Sequence, residues 1–334
     1  MKSREIHLAS RPVNVPTHEN FSTVETDVPE PAPDEVQVRN LLMSVDPSMR
    51  GRMYEGRSYV PPYALGEVME ARAIGVVTAS GTPDIPVGSH VMSQRGWREG
   101  FTAPASAVQK VDLHGMPPAA FINLAGTSGK TAYLGMMKIA QLRPDDVIFV
   151  SAAAGSVGSI AAQIGKLLGH KVIGSAGGAR KAAFLTEGLG LDAAIDYKAV
   201  PSLTKALAAA APEGIDVYFD NVGGDHLQAA IAIANPFARF AICGMISQYN
   251  DVSASTGPRN LTMMMGKCIR MEGFLLNRYE DQLADFERDI VAWYNAGQLQ
   301  SRETIFDGID QAVDAFLGVM RGENVGKMLV RLSD

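Results

Sequence analysis

The 334-residue sequence has only two cysteines, Cys243 and Cys268. Two thiols cannot build a disulfide framework, and such scarcity fits a reducing compartment, so a cytoplasmic protein is expected. A four-cysteine structural zinc site is excluded on the same count. Catalytic zinc takes three protein ligands, usually from Cys, His and Glu. Here no cysteine precedes Cys243 and no histidine lies between His18 and His90. His7, His18, His90, His114, His170 and His226 are scattered and read as ordinary surface or core residues, so no metal is expected. No apolar run approaches the roughly 20 residues of a membrane span, and no N-terminal stretch reads as a signal peptide. Excess positive charge is lacking too: a net charge of −6 argues against nucleic acid or an anionic membrane surface as the partner. Repeats and low-complexity segments are also missing. What remains, 46% hydrophobic and 20% charged residues, is ordinary for a globular enzyme long enough for two domains.

The most informative stretch is Val147-Ile148-Phe149-Val150-Ser151-Ala152-Ala153-Ala154-Gly155-Ser156-Val157-Gly158. It reads as a buried strand, a glycine turn and a helix. Val157, Ile160, Ala161, Ile164 and Leu168 fall on one helical face, and Lys171-Val172-Ile173-Gly174 reads as the next parallel strand. This is the order of a dinucleotide-binding unit, whose helix N-terminus offers unpaired N–H groups and a positive dipole end to a pyrophosphate. The glycine template falls on Ala153, Gly155 and Gly158, so its first glycine is alanine. At the tip of the second strand an NAD site carries an acid for the ribose 2′-hydroxyl. Here Ser175-Ala176-Gly177-Gly178-Ala179-Arg180-Lys181 contains none, and no carboxylate follows until Glu187. Lys181, assisted by Arg180 or Ser175, points to a 2′-phosphate and hence to NADP(H). Alternatively, Arg180 and Lys181 are solvated residues at a helix start, which leaves the missing acid unexplained.

Before about residue 120, prolines interrupt short strand-like runs such as 35–42 and 74–77, and 28–33 is a rigid extended loop. This part reads as a partly open, β-barrel-like domain. From about residue 125, strands and helices alternate. Further strands are expected at 193–196, 216–220, 239–244 and 269–275, completing a six-stranded doubly wound sheet. Helices are expected at 201–210, 225–234 and 279–295, the last amphipathic through Leu283, Phe286, Ile290 and Trp293. The terminal run 326–331 reads as a strand returning to the first domain. The fold class is therefore α/β, with residues 1–124 as the N-terminal substrate domain, completed by 312–334, and 125–311 as the nucleotide domain.

Gly126-Thr127-Ser128-Gly129-Lys130-Thr131 imitates the end of a Walker A loop. The template requires glycine where Leu124 stands and a hydrophobic strand before it, and neither is present. A helix start bordering a cofactor cleft is the expected role, with Thr127 or Thr131 near the nicotinamide.

Four further segments carry a resemblance: Met43-Ser44-Val45-Asp46-Pro47-Ser48-Met49-Arg50-Gly51-Arg52-Met53, Asn221-Val222-Gly223-Gly224, Cys243-Gly244-Met245-Ile246-Ser247-Gln248-Tyr249-Asn250 and Gly322-Glu323-Asn324-Val325-Gly326-Lys327. In this order they resemble the zinc-independent medium-chain reductases, in the branch of prostaglandin reductase, alkenal double-bond reductase and curcumin reductase. The likeness spans nearly the whole chain. It implies a GroES-like first domain, a Rossmann second domain, and NADPH-dependent reduction of a carbon–carbon double bond conjugated to a ketone or aldehyde. It also implies site residues. Gly155, Ser156, Val157 and Gly158 match the pyrophosphate turn; Lys181 and Tyr197 match the 2′-phosphate site. Asn221, Cys243, Ile246, Tyr249, Phe274, Leu276 and Asn324 match positions around the cofactor.

Tyr249 matches the tyrosine that hydrogen-bonds or protonates the substrate, and a phenol with an ordinary pKa of about 10 is a donor at neutral pH. Each match has a plainer counterpart: Asn221 as a turn cap, Asn324 as a loop residue, Phe274 and Leu276 as core, Cys243 as a small packed residue, Tyr249 as mere packing on the cofactor. Family members usually carry tyrosine where this chain has Ser48, so Tyr54, Tyr59 and Tyr63 are candidates to line the substrate entrance in its place. Arg50 and Arg52 read as structural anchors or as groups that steer a polar substrate. The resemblance further implies a homodimer joined at the edge strand 269–275. An NADPH:quinone oxidoreductase and a non-catalytic NADP-binding protein remain as alternatives.

Overall fold

Short alternating segments in the first third of the chain become antiparallel strands. In the computed structural model, which describes residues 1–56, 58–250 and 257–333, β1 (Lys2–Leu8) pairs with β2 (Phe21–Asp27) along its full length. The prolines of 28–33 keep that loop out of regular structure. Next come β3 (Glu35–Val45), β4 (Ala73–Ser80), β5 (His90–Ser93), β6 (Gly100–Pro104) and β7 (Val108–Lys110). β3 is the spine, antiparallel to both β4 and β6, and register shifts at Gln37/Val38 and Asn40/Leu42 let so long a strand bend.

Helices α1 (Pro118–Leu124) and α2 (Thr127–Leu134) lead into the alternating part of the chain. It runs β8 (Val147–Val150), α3 (Ser156–Leu167), β9 (Lys171–Ala176), α4 (Ala179–Ala183), β10 (Ala193–Asp196), α5 (Leu203–Ala210), β11 (Ile215–Asp220), α6 (Gly224–Ile233), β12 (Ala234–Ile242), α7 (Met263–Lys267), β13 (Arg270–Gly273) and α8 (Phe286–Asn295). The six strands form one parallel sheet in the order β10-β9-β8-β11-β12-β13. A parallel sheet covered on both faces needs apolar strands throughout. Accordingly Ile148, Phe149, Val150, Val172, Ile173, Val217, Tyr218 and Phe219 have no exposed surface. Phe149 stacks on Tyr218 at 5.1 Å, and Phe240 meets Tyr218 edge-on.

Two expectations about the helices need correction. Leu168, assigned to the buried face of α3, is exposed as the helix C-cap, because the chain turns away through Gly169 at φ +86°. The helix expected over 279–295 starts only at Phe286, preceded by separate turns at Leu276–Arg278 and Glu280–Leu283. Starting there places Glu287 and Asp289 in the first turn, where the helix dipole favours carboxylates.

The end of the chain adds β14 (Glu303–Asp307) and β15 (Lys327–Arg331) to the sheet built on β3, with α9 (Ala312–Met320) between them. β15 runs antiparallel to β3, and β14 runs parallel to β15, giving the order β14-β15-β3-β4-β5-β7 with β6 on β3. The core of this unit holds Trp97, stacked on Phe21 at 6.3 Å and edge-on to Phe316 at 6.3 Å. The chain divides into two units, Met1–Ile122 with Glu303–Asp334, and Asn123–Arg302. β14 thus joins the first unit ahead of residue 312, where the sequence reading began the return.

Candidate cofactor site

The carboxyl ends of β8, β9, β11 and β12 lie along one edge of the parallel sheet, and the strand order reverses between β8 and β11. Such a switch point opens a crevice, because the helices following the two strands leave on opposite faces. After β8 the turn is pinned by Ser151 N–H to Phe219 O (3.1 Å) and Ala153 N–H to Ser175 O (2.9 Å). The left-handed residue of this turn is Ala152 (φ +47°), and Ala153 has no exposed surface. A β-carbon at Gly174 would lie 2.8 Å from the Ala153 β-carbon, so Gly174 makes the room that the missing first glycine would have supplied. Gly155 is the N-cap of α3, and no side chain caps the helix. Its first-turn donors are therefore left for an anion. A β-carbon at Gly158 would meet Ala152 O at 2.3 Å, so only glycine lets α3 start this close to the turn. Ser156 Oγ donates to Asn123 Oδ1 (2.8 Å), and Asn123 Nδ2 donates to Ser301 Oγ (3.0 Å). Val157 is half-buried.

At the end of β9, Gly178 has φ +102° and leads into α4, which carries Arg180, exposed, and Lys181, half-buried. Ser175 is fully buried, which removes it as an assisting group. Parallel pairing sets Asp196 beside Ala176, and Asp196 Oδ1 accepts from Gly178 N–H (2.8 Å) and Lys198 N–H (3.0 Å). A β-carbon at Gly177 would lie 2.7 Å from Tyr197 Oη and 2.9 Å from Lys198 Cε, so both side chains fold over the glycine turn. The Tyr197 ring stands edge-on to buried His226 at 5.0 Å. Burial drives the imidazole down to about 4, keeping His226 neutral, against an opposing pull from Asp225.

At the end of β11, Asn221 N–H donates to Ser151 Oγ (2.9 Å) and Asn221 Nδ2 to Ser151 O (2.7 Å). Asp220 O accepts from Cys243 N–H (2.9 Å) and Gly244 N–H (3.0 Å), which draws the end of β12 alongside. Burial, with the Asp220 charge, pushes the Cys243 thiol up to about 12, so it is no nucleophile. The segment then turns through Ile246–Gln248 with Tyr249 as its cap, and Ile246 N–H donates to Asn221 O (3.2 Å). A β-carbon at Gly244 would stand 3.1 Å from Tyr249 Oη, so the phenol folds back over the strand end. Phe274 is buried against Phe219, and Leu276 is half-buried.

The first unit holds the other named residues. Ser48 is exposed on the turn Pro47–Met53, Tyr54 is half-buried, Tyr59 is exposed, and Arg57 of the 53–63 loop lies outside the described residues. Tyr63 does not line an entrance: it is buried, donates its hydroxyl to Glu70 O (2.8 Å) and lies under the Arg52 guanidinium. Arg50 is an anchor, wholly buried, donating to Asn14 O (2.6 Å) and Tyr54 Oη (2.7 Å). Arg52 donates to Pro61 O (2.9 Å) and Glu70 Oε2 (2.7 Å). Asn324 is buried, with Nδ2 donating to Gly326 O (2.7 Å). Next to it, buried Lys327 pairs with Asp46, which also accepts from Ser44.

Sequence reasoning missed Asp220, Ser151, Asn123, Lys198 and the Asp46–Lys327 pair. Except for Asn123, which lies in α1, their one visible signal was position, a polar residue at a strand end in or beside a named motif. The imitation phosphate loop has a packing origin instead: a β-carbon at Gly129 would strike Leu124 O at 1.7 Å, and Thr131 Oγ1 is held by Thr127 O (2.8 Å).

Residues 4–111 match a family described as the N-terminal domain of oxidoreductase, and 156–292 match one described as zinc-binding dehydrogenase. The residues present do not fit zinc, since no three of His, Cys, Asp and Glu come together among the described residues. They do fit a dinucleotide, through the uncapped N-terminus of α3 and its glycine cradle. The NADPH-dependent curcumin reductase of Escherichia coli is 36% identical over 99% of this chain and 97% of its own. The 2-alkenal reductase (NADP(+)-dependent) of Nicotiana tabacum is 37% identical over 93% of this chain and 91% of its own. The structure of CurA from Vibrio vulnificus in complex with NADPH superposes with a TM-score of 0.93 at 38% identity, covering 99% of both chains. The chain belongs to the medium-chain dehydrogenase/reductase family, in its branch of NADP-dependent curcumin and alkenal reductases.

Proposed function

We propose that this protein uses NADPH to reduce the carbon–carbon double bond of α,β-unsaturated ketones and aldehydes. The observation that carries the reading is end-to-end similarity to NADP-dependent reductases of such compounds, supported by the uncapped start of α3 at the switch point of the parallel sheet. The first-turn N–H groups of α3, from Gly155 through Ser156 and Val157 to Gly158, receive the pyrophosphate. Lys181 and Tyr197 receive the 2′-phosphate. Asn221, Cys243, Ile246, Tyr249, Phe274 and Leu276 bound the nicotinamide half.

The chemistry supplied by NADPH when bound is hydride delivery to the β-carbon of the substrate. The charge that develops on the carbonyl oxygen needs a preorganised donor. Tyr249 is that donor in our reading, its O–H directed to the enolate oxygen, and a proton from solvent taken up at the α-carbon completes the reduction and restores the carbonyl. Cys243 stays a neutral wall. Ser48, Tyr54 and Tyr59 are the candidate substrate contacts, and at position 48 serine takes less volume than the family's tyrosine. No step needs a metal ion. The partner is a small conjugated carbonyl compound, not nucleic acid or a membrane. We place the protein in the cytoplasm on its two unpaired cysteines. We propose a homodimer joined through β13, the terminal strand of the parallel sheet.

The test is NADPH consumption with an alkyl enone, an enal, a benzoquinone and a saturated ketone, followed by product analysis. The expected product has gained hydrogen across the alkene and kept its carbonyl. Turnover of the quinone alone, or of the saturated ketone, would overturn the assignment. Replacing Tyr249 by Phe should lower kcat on the enone by about 10²–10³; an unchanged rate removes Tyr249 from the chemistry. Light scattering that shows only monomer at micromolar concentration would refute the dimer.

A further inference from the structure

Asp220 closes β11 with no exposed surface, and a single carboxylate oxygen gathers the strand ends of the crevice. Its Oδ1 accepts from Tyr218 Oη (2.7 Å), Val222 N–H (2.8 Å), Gly223 N–H (2.8 Å) and Ser151 Oγ (3.2 Å). Ser151 Oγ in turn accepts from Asn221 N–H (2.9 Å), and the Asn221 amide is tied to Ser151 O. The Asp220 carbonyl holds the N–H groups of Cys243 and Gly244. The ends of β8, β11 and β12 therefore share one residue. Removing Oδ1 strands two backbone N–H groups and the Tyr218 hydroxyl in a buried site and leaves Ser151 Oγ only the longer contact to Phe219 O (3.4 Å), and an unpaired buried donor moves until it finds an acceptor.

The other oxygen, Oδ2, is buried without a hydrogen-bond partner. All four donors converge on Oδ1, so the shape of the acceptor matters more than a negative charge. An asparagine whose amide oxygen takes the Oδ1 place would preserve every one of those bonds.

We propose that Asp220 is a positioning residue of the cofactor site: through Ser151 it fixes Asn221, and through its carbonyl the Cys243–Gly244 segment, in register with the turn that leads into α3. This rests on the reading that the crevice receives NADPH. Tyr218 is the internal control. Its hydroxyl reaches the same oxygen and lies beside Ser151, but its ring belongs to the stack with Phe149 and Phe240, and the bonds from Asn221 go to Ser151 alone. A merely structural Asp220 would make Ser151 and Tyr218 equivalent, since each contributes one hydroxyl. A positioning role separates them.

The experiment measures NADPH affinity by fluorescence titration, KM for NADPH, kcat and melting temperature for wild type, Asp220→Ala, Asp220→Asn, Ser151→Ala and Tyr218→Phe. We expect Ser151→Ala and Asp220→Ala to weaken NADPH binding about tenfold or more and to raise KM for NADPH in parallel, with kcat at saturation within about threefold of wild type. Asp220→Asn should bind within about threefold of wild type, and Tyr218→Phe should lose melting temperature but not affinity. Should Asp220→Ala fail to fold, Ser151→Ala and Asp220→Asn decide the matter. Ser151→Ala binding like wild type, Ser151→Ala and Tyr218→Phe losing affinity equally, or Asp220→Asn binding as weakly as Asp220→Ala would each overturn the proposal. Wild type that fails to bind NADPH would instead sink the reading beneath it.

Discussion

Replacing Gly158 by alanine sets two known effects against each other. Helix propensity favours alanine by about 1 kcal/mol in an interior helical position. Against that, the new β-carbon would stand 2.3 Å from Ala152 O, 2.9 Å from Ala152 C and 3.0 Å from Ala153 Cα. An unstrained carbon–oxygen contact needs about 3.3 Å, so α3 and the turn must part by roughly 1 Å. Every clashing atom is backbone, and the turn is held by the Ala153-to-Ser175 bond, so no side chain can swing aside. Overpacking typically costs about 1–3 kcal/mol, and the upper half of that range applies where the neighbour cannot yield. The net loss is then about 1–2 kcal/mol. For a unit of this size that lowers the unfolding temperature by about 2–8 °C.

The same displacement moves the first-turn N–H groups of α3, so NADPH affinity should fall about tenfold or more. Gly266→Ala is the control. It lies in α7 with open space around the position, and it should gain about 0.5–1 kcal/mol. Calorimetric melts with and without NADPH check both signs, since a ligand at a hundred times its Kd adds about 2.7 kcal/mol to wild type. Gly158→Ala melting at or above wild type, with the NADPH shift intact, would refute the close-approach argument.

Three further outcomes follow from the geometry. Lys181→Ala should weaken NADPH binding about tenfold or more, the worth of a charge-assisted hydrogen bond, and leave NADH affinity unchanged; equal losses for both nucleotides would detach Lys181 from the 2′-phosphate. Brief alkylation of the native protein in mildly alkaline buffer should modify Cys268, which is exposed, and spare Cys243, whose thiol is pushed up to about 12 by burial and by Asp220; peptide mass mapping reads the order. In the first unit, burial would lift the Asp46 carboxyl, but the Lys327 ammonium and the hydrogen bonds from Lys327 and Ser44 hold it below its ordinary value. Its stabilisation is present above the ordinary aspartate value of about 3.9 and lost as pH falls through the lower folded value. Lys327→Met should cost about 3 kcal/mol at neutral pH, the lower end for a broken buried pair because Asp46 keeps 33% of its side chain exposed, and the deficit should shrink on acidification as Asp46 protonates. A pH-independent deficit in urea melts would show that the pair is not what holds that corner.

The parallel sheet was legible because its inner strands β8, β9 and β11 are buried on both faces and so read as apolar runs. The antiparallel first sheet was legible mainly at β3 and β4, where the apolar runs are long. The helix boundaries were less so. The stretch 279–295 keeps an apolar stripe throughout, but periodicity does not register where carboxylates favour a helix start, and the helix begins at Phe286. Tyr63 was misread because an aromatic hydroxyl in a loop looks the same in sequence whether it faces solvent or Glu70 O. Asp220 was invisible for a related reason. Its importance comes from four donors brought together by the ends of two strands, β8 and β11, and no local pattern encodes that.

The corner beside Lys181 shows why cofactor choice needed the fold as well as the sequence. From the chain alone, the acid that would select NAD is absent after β9. In three dimensions an acid is close by, since Asp196 ends β10 directly beside Ala176. Its Oδ1 is already taken by the N–H groups of Gly178 and Lys198, which pins the glycine turn and orients the backbone of the following residues. The same arrangement folds Tyr197 Oη and Lys198 Cε over Gly177, so the groups presented at the turn are a hydroxyl and a cation. A carboxylate can thus sit beside the second strand of a dinucleotide fold and still favour a phosphorylated ribose, provided backbone donors occupy it. Asp196→Ala should therefore loosen the turn and weaken NADPH binding without improving NADH. A gain in NADH affinity would mean that the Asp196 charge, not the turn it pins, is what the nucleotide meets.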